Sequence, residues 1–302
     1  MFSMRGRRSG FSYGRLFSAA MLCAGLVAAA PAPAVAQDDP NPGALTLSGG
    51  YDFLNQYMFR GIRQNSTGIA MWPWADLGIA AYSGDGGLKS VGINIGTWNS
   101  LHTGDTGSDG PAQKLWYESD FYATFSLGFG GGVALSTTYT AYTSPNQMFS
   151  TVKEIMFKLG VDDSSYLGKA AVKPYVILAQ EFDGTDINPI TGLPGQADGG
   201  AGAGTYLELG AAPGYASSKV GIAVPIKIGL SLSDYYEVAG EDNTFGYFSI
   251  GGMVTIPLGP TSKLGAWNVH FGGEYQKLGA DGAFNGGETS QGIISGGIGF
   301  TY

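Results

Sequence analysis

The chain has 302 residues, of which 51 are glycine, 13% aromatic and only 13% charged, with 16 basic and 24 acidic side chains. So acidic a balance disfavours nucleic acid as a partner. The only cysteine, Cys23, lies near the start, so the rest of the chain has no thiol for a disulfide, a metal site or nucleophilic catalysis.

Arg5, Arg7, Arg8 and Arg15 stand around the entry to an apolar run, Leu16 to Ala30, which is followed by Ala34-Val35-Ala36. This is the pattern of a secretory signal peptide with an A-x-A cleavage site, so residues 1–36 are expected to be removed on export. The run falls short of the about 20 residues that a spanning helix needs, and Pro31 and Pro33 end it. Leu22 is too bulky before Cys23 for a good lipid-attachment site. Loss of four arginines and no acid leaves 12 basic against 24 acidic side chains, a net charge of −12. Residues 37–43 then form a short periplasmic lead-in and 44–302 the folded part.

No later stretch is apolar for long enough to cross a bilayer as a helix. If the mature chain lies in a membrane it must therefore be a closed barrel, because only helices and barrels satisfy every backbone polar group in lipid. Turn residues and alternation predict twelve strands, at 44–62, 68–82, 88–99, 115–129, 132–143, 150–161, 171–182, 204–215, 219–236, 244–257, 264–278 and 289–302. In the fourth, Leu115, Tyr117, Phe121, Ala123, Phe125, Leu127 and Phe129 oppose Glu118, Asp120, Tyr122, Thr124 and Ser126. The sixth sets Ile155, Phe157, Leu159 and Val161 against Glu154, Met156 and Lys158. In the seventh, Val172, Pro174, Val176 and Leu178 oppose Lys173, Tyr175 and Glu181. The ninth is the clearest: aliphatic side chains occupy every second position from Val220 to Leu232, with small or charged residues between. Such period-two alternation gives a strand one apolar and one polar face.

The fold class implied is all-β, a transmembrane antiparallel barrel of about twelve strands, an even number as bacterial barrels have. Long connections follow the odd strands and short turns the even ones, which would put both ends of the barrel on the periplasmic side. Aromatic residues are expected at the two lipid boundaries: Phe129, Tyr215, Trp267, Phe300 and Tyr302 at the inner rim, and Tyr57, Phe59, Tyr117 and Tyr275 at the outer. Pro73, Pro174, Pro213, Pro225 and Pro257 lack a ladder donor and predict bulges or strand ends. A soluble periplasmic β-sandwich is the competing fold, since alternation alone does not say whether lipid or protein covers the apolar face.

Residues 55–65 carry Tyr57, Phe59, Arg60, Gly61 and Gln64 in the spacing Tyr-x-Phe-Arg-Gly-x-x-Gln. This resembles the hallmark of the Gcw_chp, or TorF-like, family of outer-membrane porins. Gly96-Thr97-Trp98-Asn99-Ser100 and Glu118-Ser119-Asp120-Phe121-Tyr122 are similar to that family's later strand motifs. The resemblance implies a porin-like barrel and leaves its substrate open; Arg63 departs from the small polar residue expected there. The last strand, with Ile294, Ile298, Phe300 and Tyr302 on one face, also looks like the C-terminal signature read by the barrel-assembly machinery. Outer-membrane lipids and lipopolysaccharide are the other implied partners.

If the aliphatic faces meet lipid, the opposite parity lines the lumen with Asp52, Arg60, Asp76, Glu118, Asp120, Glu154, Lys158, Lys173, Glu181, Glu208, Lys227, His270 and Glu274. Such charges either brace the wall as ion pairs or select permeating ions. The excess of acids points to diffusion of small polar solutes or ions with weak cation preference. Arg60, always charged and fork-shaped, would hold a constriction with Asp76 or Glu118, or else pair with an acid of a neighbouring strand. A non-transporting structural or adhesive barrel is the alternative, with the long loop at 183–203 its deciding element. A hydrolase is disfavoured: His102, expected in an outer loop, and His270, in the lumen, are the only histidines, and neither sits in a catalytic signature. No cofactor is implied. The loop Asp105 to Gly110 fails as an EF-hand because Trp116 stands where the closing acid belongs.

Overall fold

The computed structural model describes residues 43–65, 67–104, 115–183, 203–238, 241–279 and 285–302. The signal segment 1–36, the loop at 105–110 and nearly all of 183–203 lie outside these residues. Twelve antiparallel strands form the wall: β1 (Leu45–Leu54), β2 (Ala70–Ser83), β3 (Leu88–His102), β4 (Trp116–Phe129), β5 (Val133–Thr143), β6 (Val152–Val161) and β7 (Pro174–Asp183) come first. They are followed by β8 (Thr205–Ala211, continued as Gly214–Ala216), β9 (Gly221–Ala223, resuming as Ile226–Ser233), β10 (Phe245–Pro257), β11 (Ala266–Leu278) and β12 (Ser290–Thr301). Each pairs with its neighbours in sequence. β1 pairs with β12 from Ser48 opposite Thr301 to Leu54 opposite Ser295, so the sheet closes and has no edge.

Burial is inverted relative to a soluble protein. Phe53, Phe121, Phe125, Phe157, Phe182 and Phe271 point outward and are each about half exposed, whereas Ser136, Thr138, Thr140, Ser249 and Thr255 point inward and are buried. A sandwich would hide the aromatic rings and wet the hydroxyls. Burying hydroxyls while exposing a continuous apolar outer face makes sense only where hydrocarbon is the external solvent. The β-sandwich reading is therefore excluded, and the fold is a membrane barrel of the outer-membrane type.

The closing seam shows how glycine is tolerated in such a wall. A Cβ on Gly49 would lie 2.7 Å from the ring of Phe300, which covers that stretch of β1 from the next strand. Trp267 stacks on the same ring with centroids 5.2 Å apart. An aromatic side chain laid over a strand glycine restores the packing that the missing side chain would have made.

The prolines fall at interruptions. Pro174 opens β7 and Pro257 closes β10, while Pro213 and Pro225 divide β8 and β9. Their free carbonyls still pair, Val224 N–H donating to Pro213 at 2.8 Å and Gly251 N–H to Pro225 at 2.9 Å. Pro73 lies inside β2, where the ladder to β3 skips Trp72 and Pro73 and the Asn99 amide donates to the Pro73 carbonyl at 3.4 Å.

Short turns join β2 to β3, β4 to β5 and β8 to β9, at the end that in bacterial barrels faces the periplasm. The β6–β7 connection carries one helical turn, Ser164–Leu167. It also removes Lys173 from the lumen: the residue precedes β7, is exposed, and has φ 49°. Asp163 accepts the backbone N–H groups of Lys173 (3.0 Å) and Val172 (3.2 Å), and these bonds, that from Lys173 foremost, hold its carboxyl below the usual range.

The outward face generates a direct check. Phe125→Arg, placing a cation in the apolar band of β4, is expected to destabilise the folded barrel by about 2–4 kcal/mol. Reversible denaturant unfolding in lipid vesicles measures it; an effect near zero would mean that lipid does not cover this face.

Candidate functional site: the lumen and its inward hairpin

The first strand ends at Leu54, earlier than alternation suggests, because residues 55–65 turn into the barrel. Met58–Phe59 pair with Ile62–Arg63 across a two-residue loop, Arg60-Gly61, whose φ values are 48° and 81°. Positive φ at both central positions is the mark of a type I′ turn, which commonly carries Asn-Gly. Arginine at the first position is strained, since left-handed backbone costs a residue with a Cβ about 1–2 kcal/mol. Glycine at the second is required twice over: a Cβ there would sit 2.7 Å from Tyr247 Cβ.

The Arg60 side chain offsets the strain. Its guanidinium makes a bidentate pair with Glu154 of β6 at 2.5 and 2.9 Å and donates to the Tyr235 hydroxyl at 2.9 Å. It lies 4.3 Å from the centroid of the Tyr206 ring. Tyr142 adds a hydrogen bond to Glu154 at 3.1 Å, and Tyr236 donates to the Arg60 carbonyl at 2.8 Å. Arg60 thus spans the lumen from the β1–β2 connection to β6 and β8. Its acid is Glu154, neither the Asp76 or Glu118 of a constriction nor an acid on a strand adjoining β1.

The rest of the hairpin is equally anchored. Tyr57 N–H donates to Asn65 at 2.5 Å, and Asn285 brackets the turn by accepting from Arg63 N–H (2.9 Å) and donating to the Gly61 carbonyl (3.0 Å). Gln64 accepts from the Tyr117 hydroxyl at 2.6 Å. Tyr57 and Phe59 were expected at the lipid rim but are buried inside, because the chain leaves the wall before reaching them. Tyr117 is also buried rather than lipid-facing: the β3–β4 register shifts between Ser100 and Leu101, and the resulting bulge rotates it inward. Tyr57, Trp72, Trp98, Tyr117, Tyr142 and Tyr206 join the hairpin in one buried aromatic cluster. A void of about 30 Å³ remains between Leu54, Met58, Trp72, Met253 and Glu274, room for water-sized groups only.

Below and beside this plug the lumen is polar. Asp52 bonds His270, Lys227 pairs with Glu274 at 3.6 Å, and Asp76 accepts from Asn94 (2.6 Å) and Tyr122 (3.1 Å). Glu208 accepts from Tyr175, Tyr206 and Tyr247 at 2.6–2.8 Å. Lys158 lies 4.5 Å from the centroid of the Tyr175 ring, and Glu181 accepts from Gly204 N–H at 3.3 Å. Glu118 and Asp120 are buried on β4 beside the hairpin. Except for Lys173, every charged residue expected in the lumen is there.

His102 is not in a loop. It ends β3, 1% exposed, stacked on Tyr117 with centroids 4.5 Å apart. Its Nε2 lies 2.8 Å from Ser100 Oγ, which accepts from Trp72 at 3.0 Å. A nucleophilic dyad needs a third group to orient the imidazole and an open face for substrate. Here His102 Nδ1 has no hydrogen-bond partner among the described residues and Ser100 is fully buried. The arrangement is that of a packed wall.

No protein-family model and no curated protein matches the sequence. In structure the chain is similar to an outer membrane channel from Pseudomonas putida F1, at 10% identity over 87% of this chain and 97% of that one, with a TM-score of 0.46. It is also similar to the translocator domain of the autotransporter NalP from Neisseria meningitidis (14% identity, 87% and 89% covered, TM-score 0.43). A third likeness is to the outer membrane phospholipase of Salmonella typhi (10%, 84% and 90%, 0.42). Function differs among such folds and must be read from the site.

Arg60→Ala leaves Glu154 buried without its counter-ion and is expected to cost about 3–5 kcal/mol, whereas the double variant Arg60→Ala/Glu154→Ala costs less than the single. Denaturant unfolding of the four proteins of the cycle in detergent measures the coupling.

Proposed function

We propose that the protein is a narrow outer-membrane channel for small polar solutes and cations, with the 55–65 hairpin as a gate over its outer half. The observation that carries this reading is the charge of the lumenal wall. Asp52, Asp76, Glu118, Asp120, Glu154, Glu181, Glu208 and Glu274 face inward against Arg60, Lys158, Lys227 and His270. An acid excess in a low-dielectric tube favours cations over anions. Twelve strands also enclose less space than the 16–18 of wide porins, which favours small solutes.

The resemblance of Tyr57 to Gln64 to the Gcw_chp, or TorF-like, porins supports the same reading and gives that motif a physical role: its residues are the hairpin itself. No reaction is assigned to the protein: among the described residues the Ser100–His102 contact has no orienting group, and Ser100 is fully buried. Lipopolysaccharide at the outer rim and the barrel-assembly machinery at the strand ending in Tyr302 remain its proposed partners. The second reading, a structural barrel without transport, is favoured by one observation, the aromatic filling of the outer half.

Planar-bilayer recording under a KCl gradient separates these readings. A reversal potential on the cation side is expected, with higher open probability in Glu154→Gln, which loosens the latch. Clear anion preference would sink the charge argument, and silence in both the wild type and Glu154→Gln would favour the structural barrel.

A further inference from the structure

Asp52 of β1 and His270 of β11 meet across β12, because both stand opposite Gly297 in the two ladders. A Cβ on Gly297 would lie 2.7 Å from His270 Nε2 and nearer still to Asp52, so the pair forms only over a glycine. The side chains of Asp52 and His270 are 20% and 12% exposed, and those of Glu274 and Lys227 are 10% and 8% exposed. Asp76, Glu118, Asp120 and Glu154, at 0–4%, are sealed from water. Lys158, half-buried as well, lies near the periplasmic end of β6, over the Tyr175 ring.

The water-reached charges are not scattered. Glu274 occupies the second inward position after His270 on β11, and the void of about 30 Å³ beneath Met58 is lined by Glu274, Leu54 and Ser295. Between the Asp52–His270 pair and that void the inward positions are Gly272 of β11 and Ser295 of β12, which stand opposite each other. No large side chain of these two strands closes the step. On the far wall the inward hydroxyls of Thr124 and Thr138 bond each other at 2.8 Å and are buried.

We propose that the permeation route is off-centre: it follows β11, β12 and the upper end of β1 past Asp52, His270 and Glu274 into the void beneath the hairpin, and Glu274 sets its charge selectivity. A permeating ion responds to the groups it passes in water, so the sealed acids around the hairpin count for less than their number. The void admits water-sized groups only, which brings whatever crosses it against the Glu274 carboxylate. The solute class narrows to small cations and neutral polar molecules. This deepens the reading of a cation-preferring channel and rests on it for conduction, whereas the track itself is a property of the wall.

The strands of the barrel contain no cysteine, so single introduced thiols report the route. Ser295→Cys places one at the void and Thr138→Cys one on the far wall, each in place of a small hydroxyl side chain. The refolded full barrel in detergent is exposed to methyl methanethiosulfonate, a small neutral thiol reagent, and modification is followed by intact mass. The same reagent is then applied to single channels in planar bilayers. Ser295→Cys is expected to react fast and to lose current as it does, while Thr138→Cys reacts far more slowly and keeps its current. Glu274→Gln, which keeps the shape and removes the charge, is expected to shift the reversal potential under a KCl gradient toward the anion side of the wild type.

Thr138→Cys reacting as fast as Ser295→Cys overturns the route, and so does a current that survives full modification of Ser295→Cys. An unchanged reversal potential in Glu274→Gln overturns its part in selectivity. Labelling does not depend on conductance, which keeps the two readings apart: cation preference with uniform labelling retires the track and keeps the channel, and selective labelling of a barrel that never conducts does the reverse.

Discussion

Everything in this molecule follows from the absence of water outside it. A chain in hydrocarbon must satisfy every backbone N–H and C=O within itself, and a sheet does so only by returning to its own first strand. The pairing of Ser48–Leu54 with Ser295–Thr301 makes that closure. Once the sheet is closed, side-chain parity is no longer free: alternate residues face lipid, and the others face a tube too narrow to leave them fully hydrated.

The lumen is therefore the harder packing problem. Its polar half is resolved pairwise, by Asp52 with His270, Lys227 with Glu274, and Glu208 with three tyrosines. Its outer half is filled by chain that leaves the wall, and the cost of bringing Arg60 inside is met by a bidentate acid, a phenol and an aromatic face together. Aromatic rings suit this place because they fill volume while their hydroxyls reach distant carboxylates.

The wall was legible in the sequence because its signal is local. Strict alternation in β4, β6 and β9 gave strand count, connection lengths and the inward parity of nearly all the charged residues. Apart from His102, where β3 runs on past its expected end, the misreadings lie where alternation continues beyond the wall or is broken by a bulge or turn. Tyr57 and Phe59 keep the right parity for lipid, yet the chain has already turned inward after Leu54. A single bulge reverses Tyr117, and a left-handed turn takes Lys173 out of the lumen. Tyr206, Tyr235, Tyr236 and Asn285, which grip the hairpin, could not be found by pattern, because their partners are far away in sequence. Arg60-Gly61 was the one available signal: such a pair inside an otherwise extended segment fits a tight turn as well as a strand.

Pro213 on β8 and Pro225 on β9 lie at adjoining points of the wall, where both strands are interrupted for lack of a proline N–H although the β8–β9 and β9–β10 registers run on unchanged across the gap. A sheet stitched rung by rung resists having its cross-section squeezed. In this sector fewer stitches hold, and a change in bilayer pressure would flatten the cylinder here first. The barrel is round by construction but has a soft side, and that side includes β9, the strand that carries Lys227.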